Sequence, residues 1–422
     1  MDRTYQYHFT PPKGWMNDPN GMVYVNGVYH LFYQHYPHDI VWGPMHWGHA
    51  VSMDLLHWEH KPIAIFPTEE EYIFSGSCVY DAQNVSGLGT KECPPILAIY
   101  TGHHPVTGQE QQCLAYSTDF VNFTKYEGNP VIDNRMLDGK KENAVYKKDF
   151  RDPKVFLNTV KGGFSLVVAA GHYVEFYHSN NLISWEKTGV FAPKPGGFEE
   201  VCECPDCFPI ETEEGIKWIL TLSLTSHVMP YFVGEFDGDS FVALEEADLL
   251  LDYGMDNYAM VSFLHSPKPL LLGWGESWDY VSQTPAEKFR GKMTMARTAQ
   301  LVKTVQGWRL RFAPAGIPCV DKDDAAWKQL VWHGDIKPGE TVKFPLGEGK
   351  ELSLTVTEDE IRVDRSKAGD MSFSDYLQEK GTVLTAKRVL QGVCETKVIQ
   401  DNGYFEIFTE GGITVFSVMT YV

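Results

Sequence analysis

The chain has 422 residues, and its 56 Asp and Glu against 36 Lys and Arg give a formal net charge of -20 at pH 7. That excess argues against nucleic acid or an anionic membrane surface as a partner and is compatible with a neutral ligand. Hydrophobic residues at 43% and charged residues at 22% are the proportions of a globular protein, and aromatics at 13% suit both a large core and stacking on flat ligands.

Such a length calls for two domains, or for a repeat architecture with a smaller domain attached. No apolar run reaches the roughly 18 residues of a membrane span, and Met1 to His8 contain no hydrophobic signal region, so the expectation is either a cytoplasmic location or a signal already removed from this sequence. The eight cysteines are too sparse for a disulfide scaffold.

Taken in chain order, the first informative segment is Trp15-Met16-Asn17-Asp18-Pro19-Asn20-Gly21. Asp-Pro-Asn-Gly predicts a rigid β-turn that presents the Asp18 carboxylate, with Asn17 able to donate to it and Trp15 offering a flat apolar face to a sugar ring. A rigid carboxylate in that setting suits a nucleophile attacking a carbohydrate. Two apolar runs separated by Asn26-Gly27 then predict a hairpin. Ser52-Met53-Asp54-Leu55-Leu56-His57-Trp58 recurs in degenerate form as Ser117 to Phe123 and Ser179 to Trp185, about 62 to 65 residues apart (52, 117, 179). A period of that size, built of short strands such as Phe164 to Ala170, predicts a propeller of about five four-stranded blades.

Two further acidic motifs follow, Phe150-Arg151-Asp152-Pro153 and Val201-Cys202-Glu203-Cys204-Pro205-Asp206. Arg151 could hold a neighbouring carboxylate ionised, and Arg151 with Asp152 could grip vicinal hydroxyls. Glu203 lies among soft, weakly polar neighbours, as suits a general acid. Chain separation puts Asp18, Asp152 and Glu203 in different blades, whose innermost strands meet at the propeller axis. Cys202, Cys204 and Cys207 have a superficially metal-like spacing, but no fourth ligand is evident, and neither a metal nor a cofactor is expected. His103-His104 and Asp321-Lys322-Asp323-Asp324 read as loop and solvated surface. Beyond roughly residue 300 the composition becomes more polar, and Glu351 to Val356 and Tyr404 to Thr409 alternate as half-buried antiparallel strands do, which predicts a β-sandwich over 301–422 behind a propeller over 1–300.

These motifs together resemble glycoside hydrolase family 32, the β-fructofuranosidases. The likeness extends through Phe32-Tyr33-Gln34, Trp47 to Ser52, Phe74-Ser75-Gly76-Ser77, Asp252-Tyr253-Gly254 and Gly273-Trp274. The resemblance implies an all-β fold, a five-bladed propeller followed by a small C-terminal sandwich. It implies Asp18 as the nucleophile that forms a covalent fructosyl-enzyme, Glu203 as acid/base, and Asp152 as a stabiliser of the transition state. Asn17, Gln34, Trp42, Phe74, Ser75, Arg151, Tyr253 and Trp274 would line a fructose pocket. The substrate class implied is sucrose or short fructo-oligosaccharides, with a fructosyltransferase, inulinase or levanase as the alternative, and homo-oligomerisation is left open. An inverting arabinosidase or xylosidase on a similar scaffold would need carboxyls about 6.5–9.5 Å apart rather than about 5–5.5 Å. The segment Gly291 to Arg297 departs from the family pattern without touching the three acids.

Overall fold

The computed structural model describes residues 5–136, 145–194, 197–244, 249–316 and 331–422. Val25 and Val28 flank a two-residue turn in which Asn26 and Gly27 both take positive φ, 50° and 88°, so the Asn-Gly pair makes the expected hairpin between Gly14–Val25 and Val28–Tyr36. His46–Ser52 and Glu59–Ile65 complete the first blade, with strands in chain order from the axis outward, and Phe289–Arg290 adds in parallel to the inner strand. Blade 2 starts with Tyr72–Tyr80, blade 3 with Phe150–Leu157, blade 4 with Cys202–Thr212 and blade 5 with Tyr258–Ser262. Each is a four-stranded antiparallel sheet.

The five inner strands touch one another in cyclic order, the fifth returning to the first. Backbone hydrogen bonds close that ring: Tyr24 N to Leu264 O at 2.9 Å, Leu264 N to Met22 O at 3.0 Å, and Gly14 N to Lys288 O at 2.9 Å.

The Ser-x-Asp repeat is the turn between the third and fourth strands of blades 1, 2 and 3. In each copy the Asp or Asn Oδ1 accepts two backbone N–H groups further along: Leu56 and His57 for Asp54, Val121 and Asn122 for Asp119, Ile183 and Ser184 for Asn181. Those bonds hold Leu55, Phe120 and Leu182 in the left-handed region at φ 69°, 63° and 63°. The side chains substitute for backbone partners, and that fixes the motif.

Asp18-Pro19-Asn20-Gly21, expected as a turn, instead continues the inner strand Gly14–Val25. The strand absorbs the awkward residues by slipping register by one residue twice, between Met16 and Pro19 and between Asn20 and Val23. Gly21 is needed for close packing at φ 53°: a Cβ there would lie 2.6 Å from the Phe32 ring and 2.8 Å from Cys78 Sγ.

Blade 5 ends with Arg297–Thr304 and Gly307–Pro314, so the propeller runs past the boundary expected at 300. A sandwich follows, of one sheet with Val331–Ile336, Cys394–Asp401, Tyr404–Thr409 and Thr414–Met419, and a second with Thr341–Gly347, Lys350–Val356, Glu360–Asp364 and Val383–Lys387. Lys350–Val356 alternates as expected. Tyr404–Thr409 is buried along its whole length. Its Phe408, with Ile399 and Val415, packs into the propeller core, while Phe405, Ile407 and Phe416 fill the sandwich.

Buried charges pin this seam. Arg297 bonds Asp252 at 2.8 Å and Glu406 at 2.6 Å, His8 lies between Asp401 at 2.8 Å and Glu406 at 2.9 Å, and Arg365 bonds Asp256 at 2.9 Å. Asp321 to Asp324 lie outside the described residues.

Candidate active site

Every inner strand carries a one-residue register slip near its start: Ile73 to Gly76, Arg151 to Lys154, Glu203 to Asp206 and Tyr258 to Val261, as well as Met16 to Pro19. A bulge turns successive side chains out of strict alternation and aims them at one point. In blades 3, 4 and 5 the first bulged residue takes positive φ without being glycine: Asp152 at 65°, Cys204 at 45° and Ala259 at 53°. Strain of this kind is sustained only where surrounding structure over-determines it.

The result is a cavity of about 380 Å³ at the mouth of the axis, lined by Asn17, Asp18, Gln34, Trp42, Phe74, Ser75, Arg151, Asp152, Glu203, Thr225, His227, Tyr258 and Trp278. Asp18, Asp152 and Glu203 thus come together from blades 1, 3 and 4. The Cys204 thiol touches two of them, 3.5 Å from Asp18 Oδ2 and 3.6 Å from Asp152 Oδ2. Strict alternation would have placed Cys204 opposite Glu203; the bulge brings both to the site. Among the described residues no His, Cys, Asp and Glu group has a metal-binding arrangement.

Each acid has its own setting. Asp18 accepts from Ser75 Oγ at 2.7 Å and from Asn17 Nδ2 at 3.1 Å, and Trp15 Nε1 fixes the Asn17 amide by donating to its oxygen at 2.7 Å. Burial raises the Asp18 pKa; the Ser75 and Asn17 donors pull it down, and the Glu203 charge adds to the rise. Asp152 accepts from Cys204 N at 2.9 Å, and burial, opposed by Arg151 and reinforced by Glu203 and Asp18, pushes it up to about 8. Glu203 accepts from Arg151 Nη2 at 3.0 Å and from the Tyr258 hydroxyl at 2.6 Å. Arg151 is itself held by Asp149 at 2.8 Å and Glu110 at 3.2 Å. A cavity floor with one donor-stabilised carboxylate, one proton-holding carboxyl and one partly exposed acid tied to Arg and Tyr is equipped for acid/base and nucleophilic chemistry on a polyhydroxylated ligand.

The wall residues divide between expectation and surprise. Asn17, Gln34, Trp42, Phe74, Ser75 and Arg151 line the cavity. Trp42 is 44% exposed at the rim, edge-on to Phe74, which stacks on His103 at 4.2 Å. Trp15 does not offer its face to a ligand: it is fully buried outside the lining, with its ring against those of Trp274 and Trp278. Trp274 is likewise buried and outside the lining; Trp278, 4.8 Å away, takes the place at the wall. Tyr253 points to the sandwich, packing on Phe416 at 6.1 Å, because its backbone is hydrogen-bonded to Val415 across the seam. Tyr258 occupies the wall in its stead. It stands immediately before the blade 5 bulge, the register that Arg151 and Glu203 hold in blades 3 and 4, and that equivalence is the signal that could have found it. Thr225 and His227 lie on a loop with no sequence mark of its own.

Comparison with known proteins agrees with this geometry. Residues 8–314 match the family model for the glycosyl hydrolases family 32 N-terminal domain. A levanase of Bacillus subtilis is 36% identical over 96% of this chain and 64% of its own length, and an invertase of Schizosaccharomyces pombe is 40% identical over 69% of this chain and 52% of its own. The chain therefore spans between about half and two thirds of the length of these curated relatives. Among solved structures, an exo-inulinase from Aspergillus awamori superimposes with a TM-score of 0.85 at 28% identity, covering 99% of this chain and 92% of that one. A β-fructofuranosidase from Schwanniomyces occidentalis complexed with fructosyl-erythritol gives 0.82 at 27%, covering 100% of this chain and 91% of the other. With the family model spanning all five blades and the three acids within it, the chain belongs to glycosyl hydrolases family 32.

Proposed function

We propose that this chain is a retaining β-fructofuranosidase that releases terminal, non-reducing fructosyl units from sucrose or short fructo-oligosaccharides. The observation that carries the reading is the convergence of Asp18, Asp152 and Glu203 from three blades on one cavity. The naming of its relatives as levanase, invertase and exo-inulinase supports it.

In the first step an Asp18 oxygen attacks the anomeric C2 of the fructosyl unit and the bond from C2 to the leaving oxygen breaks. Glu203 gives its proton to that oxygen, so the leaving sugar departs as an alcohol. In the second step Glu203 takes a proton from water, the water oxygen bonds to C2, and the C2–Asp18 ester bond breaks. Arg151 and Tyr258 hold Glu203 in place for both transfers. Asp152 and Arg151 grip ring hydroxyls as positive charge develops on the sugar.

The test is release of free glucose and free fructose from sucrose, with Asp18→Ala as control. Equal amounts are expected, falling by roughly a thousandfold or more in the variant while it stays folded. Glucose in clear excess would mean transfer to another sugar. A variant keeping more than about a tenth of the rate would sink the nucleophile assignment, and no release from sucrose, inulin or levan would sink the reading.

A further inference from the structure

The general acid must touch the leaving oxygen, so on the reading above the leaving sugar lies on the Glu203 side of the cavity. Thr225 and His227 approach that side from blade 4, and Tyr258 and Trp278 from blade 5. His227 is the residue here whose position is built rather than incidental. It takes φ 65° in a tight turn closed by His227 N to Leu224 O at 2.8 Å and Leu224 N to Val228 O at 2.9 Å. Its ring stands edge-on to Tyr258 at 5.7 Å, next to the hydroxyl that holds Glu203. Its Nδ1 is 3.0 Å from Asp279 Oδ1. A carboxylate at Nδ1 makes that nitrogen the N–H, so Nε2 is the ring nitrogen left to meet a sugar hydroxyl, a group that both donates and accepts.

Asp279 does not stand alone. Tyr376, on the short helix Asp375–Lys380 of the C-terminal domain, lies beside it, close enough for the Asp279 charge to add to the rise that burial gives the Tyr376 pKa. Tyr280, next to Asp279 in the chain, is fully buried in the seam, with its hydroxyl on Asp256 and beside Arg365. The loop that carries Trp278 and Asp279 is therefore anchored to the sandwich on both counts.

We propose that His227, oriented by Asp279 and through it by Tyr376 of the sandwich, binds a hydroxyl of the leaving sugar, and of any acceptor sugar that replaces it. His227 is a specificity-determining residue; Asp279 and Tyr376 are positioning residues. The inference rests on the fructofuranosidase reading and gives the C-terminal domain a part in choosing what is cleaved.

The experiment measures kcat and KM for sucrose, inhibition by free fructose, and thermal stability in wild type, His227→Ala, Asp279→Asn and Tyr376→Phe. One neutral hydrogen bond corresponds to roughly tenfold in affinity, so His227→Ala should raise KM for sucrose about tenfold. Asp279→Asn should raise it severalfold and Tyr376→Phe about two- to fivefold. Fructose inhibition should stay within about twofold in all three, because free fructose occupies the Asp18 side, and this split separates a role at the leaving sugar from general damage. The midpoint of unfolding should not move for Tyr376→Phe, which deletes only a hydroxyl. An unchanged KM for sucrose in His227→Ala, or fructose inhibition weakened as much as sucrose binding, overturns the inference while leaving the proposed function standing. Wild type that cleaves no fructoside overturns both.

Discussion

Asp18 has to be ionised to attack, yet it is buried and shares its site with two other carboxyls. Burial raises its pKa, and the Ser75 hydroxyl and Asn17 amide oppose that rise. Attack requires the anion, so kcat/KM should climb with pH through an Asp18 pKa above the ordinary aspartate range. Ser75→Ala removes a donor to the anion and should move that acid limb to higher pH with the alkaline limb in place; an unmoved limb would show that Ser75 does not support the charge. Asp152 makes the complementary case. It would ionise near 3.8 in the unfolded chain and near 8 in the fold, so its presence costs the fold progressively more as pH rises between those values. Asparagine does not titrate. Asp152→Asn should cripple turnover yet be more stable than wild type, by a margin in unfolding midpoint that grows from pH 4 to pH 8. A constant margin would mean that Asp152 ionises as an ordinary aspartate. At this scale the acids were legible in the sequence because each sits in a short motif. Tyr258 and Trp278 were not: whether Tyr253 or Tyr258, or Trp274 or Trp278, reaches the cavity depends on bulge register and on the seam, which no local pattern encodes.

The inner strands and the outer turns use opposite devices. At the axis, bulges accept left-handed residues such as Asp152 and Cys204 so that side chains converge. At the periphery, the Ser-x-Asp turn relieves similar conformations with side-chain acceptors, which gives the turn a sequence signature and made the blade period readable. Blade 4 keeps the acceptor, with Asp237 Oδ1 taking Asp239 N at 2.9 Å and Ser240 N at 2.8 Å, but has Glu235 in place of the serine. The blade 5 turn has neither residue, so no repeat marks the end of the propeller at Pro314. The turn of blade 2 allows a direct check. Asp119 Oδ1 accepts from Val121 N at 2.9 Å and Asn122 N at 2.8 Å, the arrangement that Asn181 Oδ1 makes in blade 3. Asp119→Ala strips both acceptances and should cost about 1 kcal/mol, the value of a lost helix cap of the same chemistry. Asp119→Asn should cost less than half of that, because the amide oxygen can serve as it does at Asn181. Equal losses by denaturant unfolding would mean that the charge, not the hydrogen-bond geometry, holds the turn.

For the molecule as a whole, histidines on two sides of the propeller push stability in opposite directions with pH. His30 and His49 are stacked in the gap between blades 1 and 2, with His30 Nδ1 3.1 Å from His49 Nε2, and burial lowers them to about 4 and about 3. They are neutral in the fold, so the stability they allow is fully present above 6.5, the value in the unfolded chain, and drains away as pH falls toward 4 and then 3. His8 is the reverse. Burial opposes its charge, but hydrogen bonds and charge from Asp401 and Glu406 outweigh it, and its pKa is raised. What His8 contributes is complete below 6.5 and is lost as pH rises through its folded value. The two effects meet near pH 6.5, where the fold should be most stable, with Asp152 drawing the maximum to the acid side. His8→Gln removes a cation from a buried cluster that also holds Arg297, and should cost about 3 kcal/mol at pH 6, in line with breaking a buried ion pair. Because His8 ties the N-terminal segment of the propeller to the sandwich, the variant should also lose the His8 share of the alkaline fall in unfolding midpoint, keeping the part that Asp152 sets up to about pH 8 and the acid fall set by His30 and His49. An alkaline limb as steep in His8→Gln as in wild type would show that the seam is held by Arg297 and Arg365 without help from the imidazole.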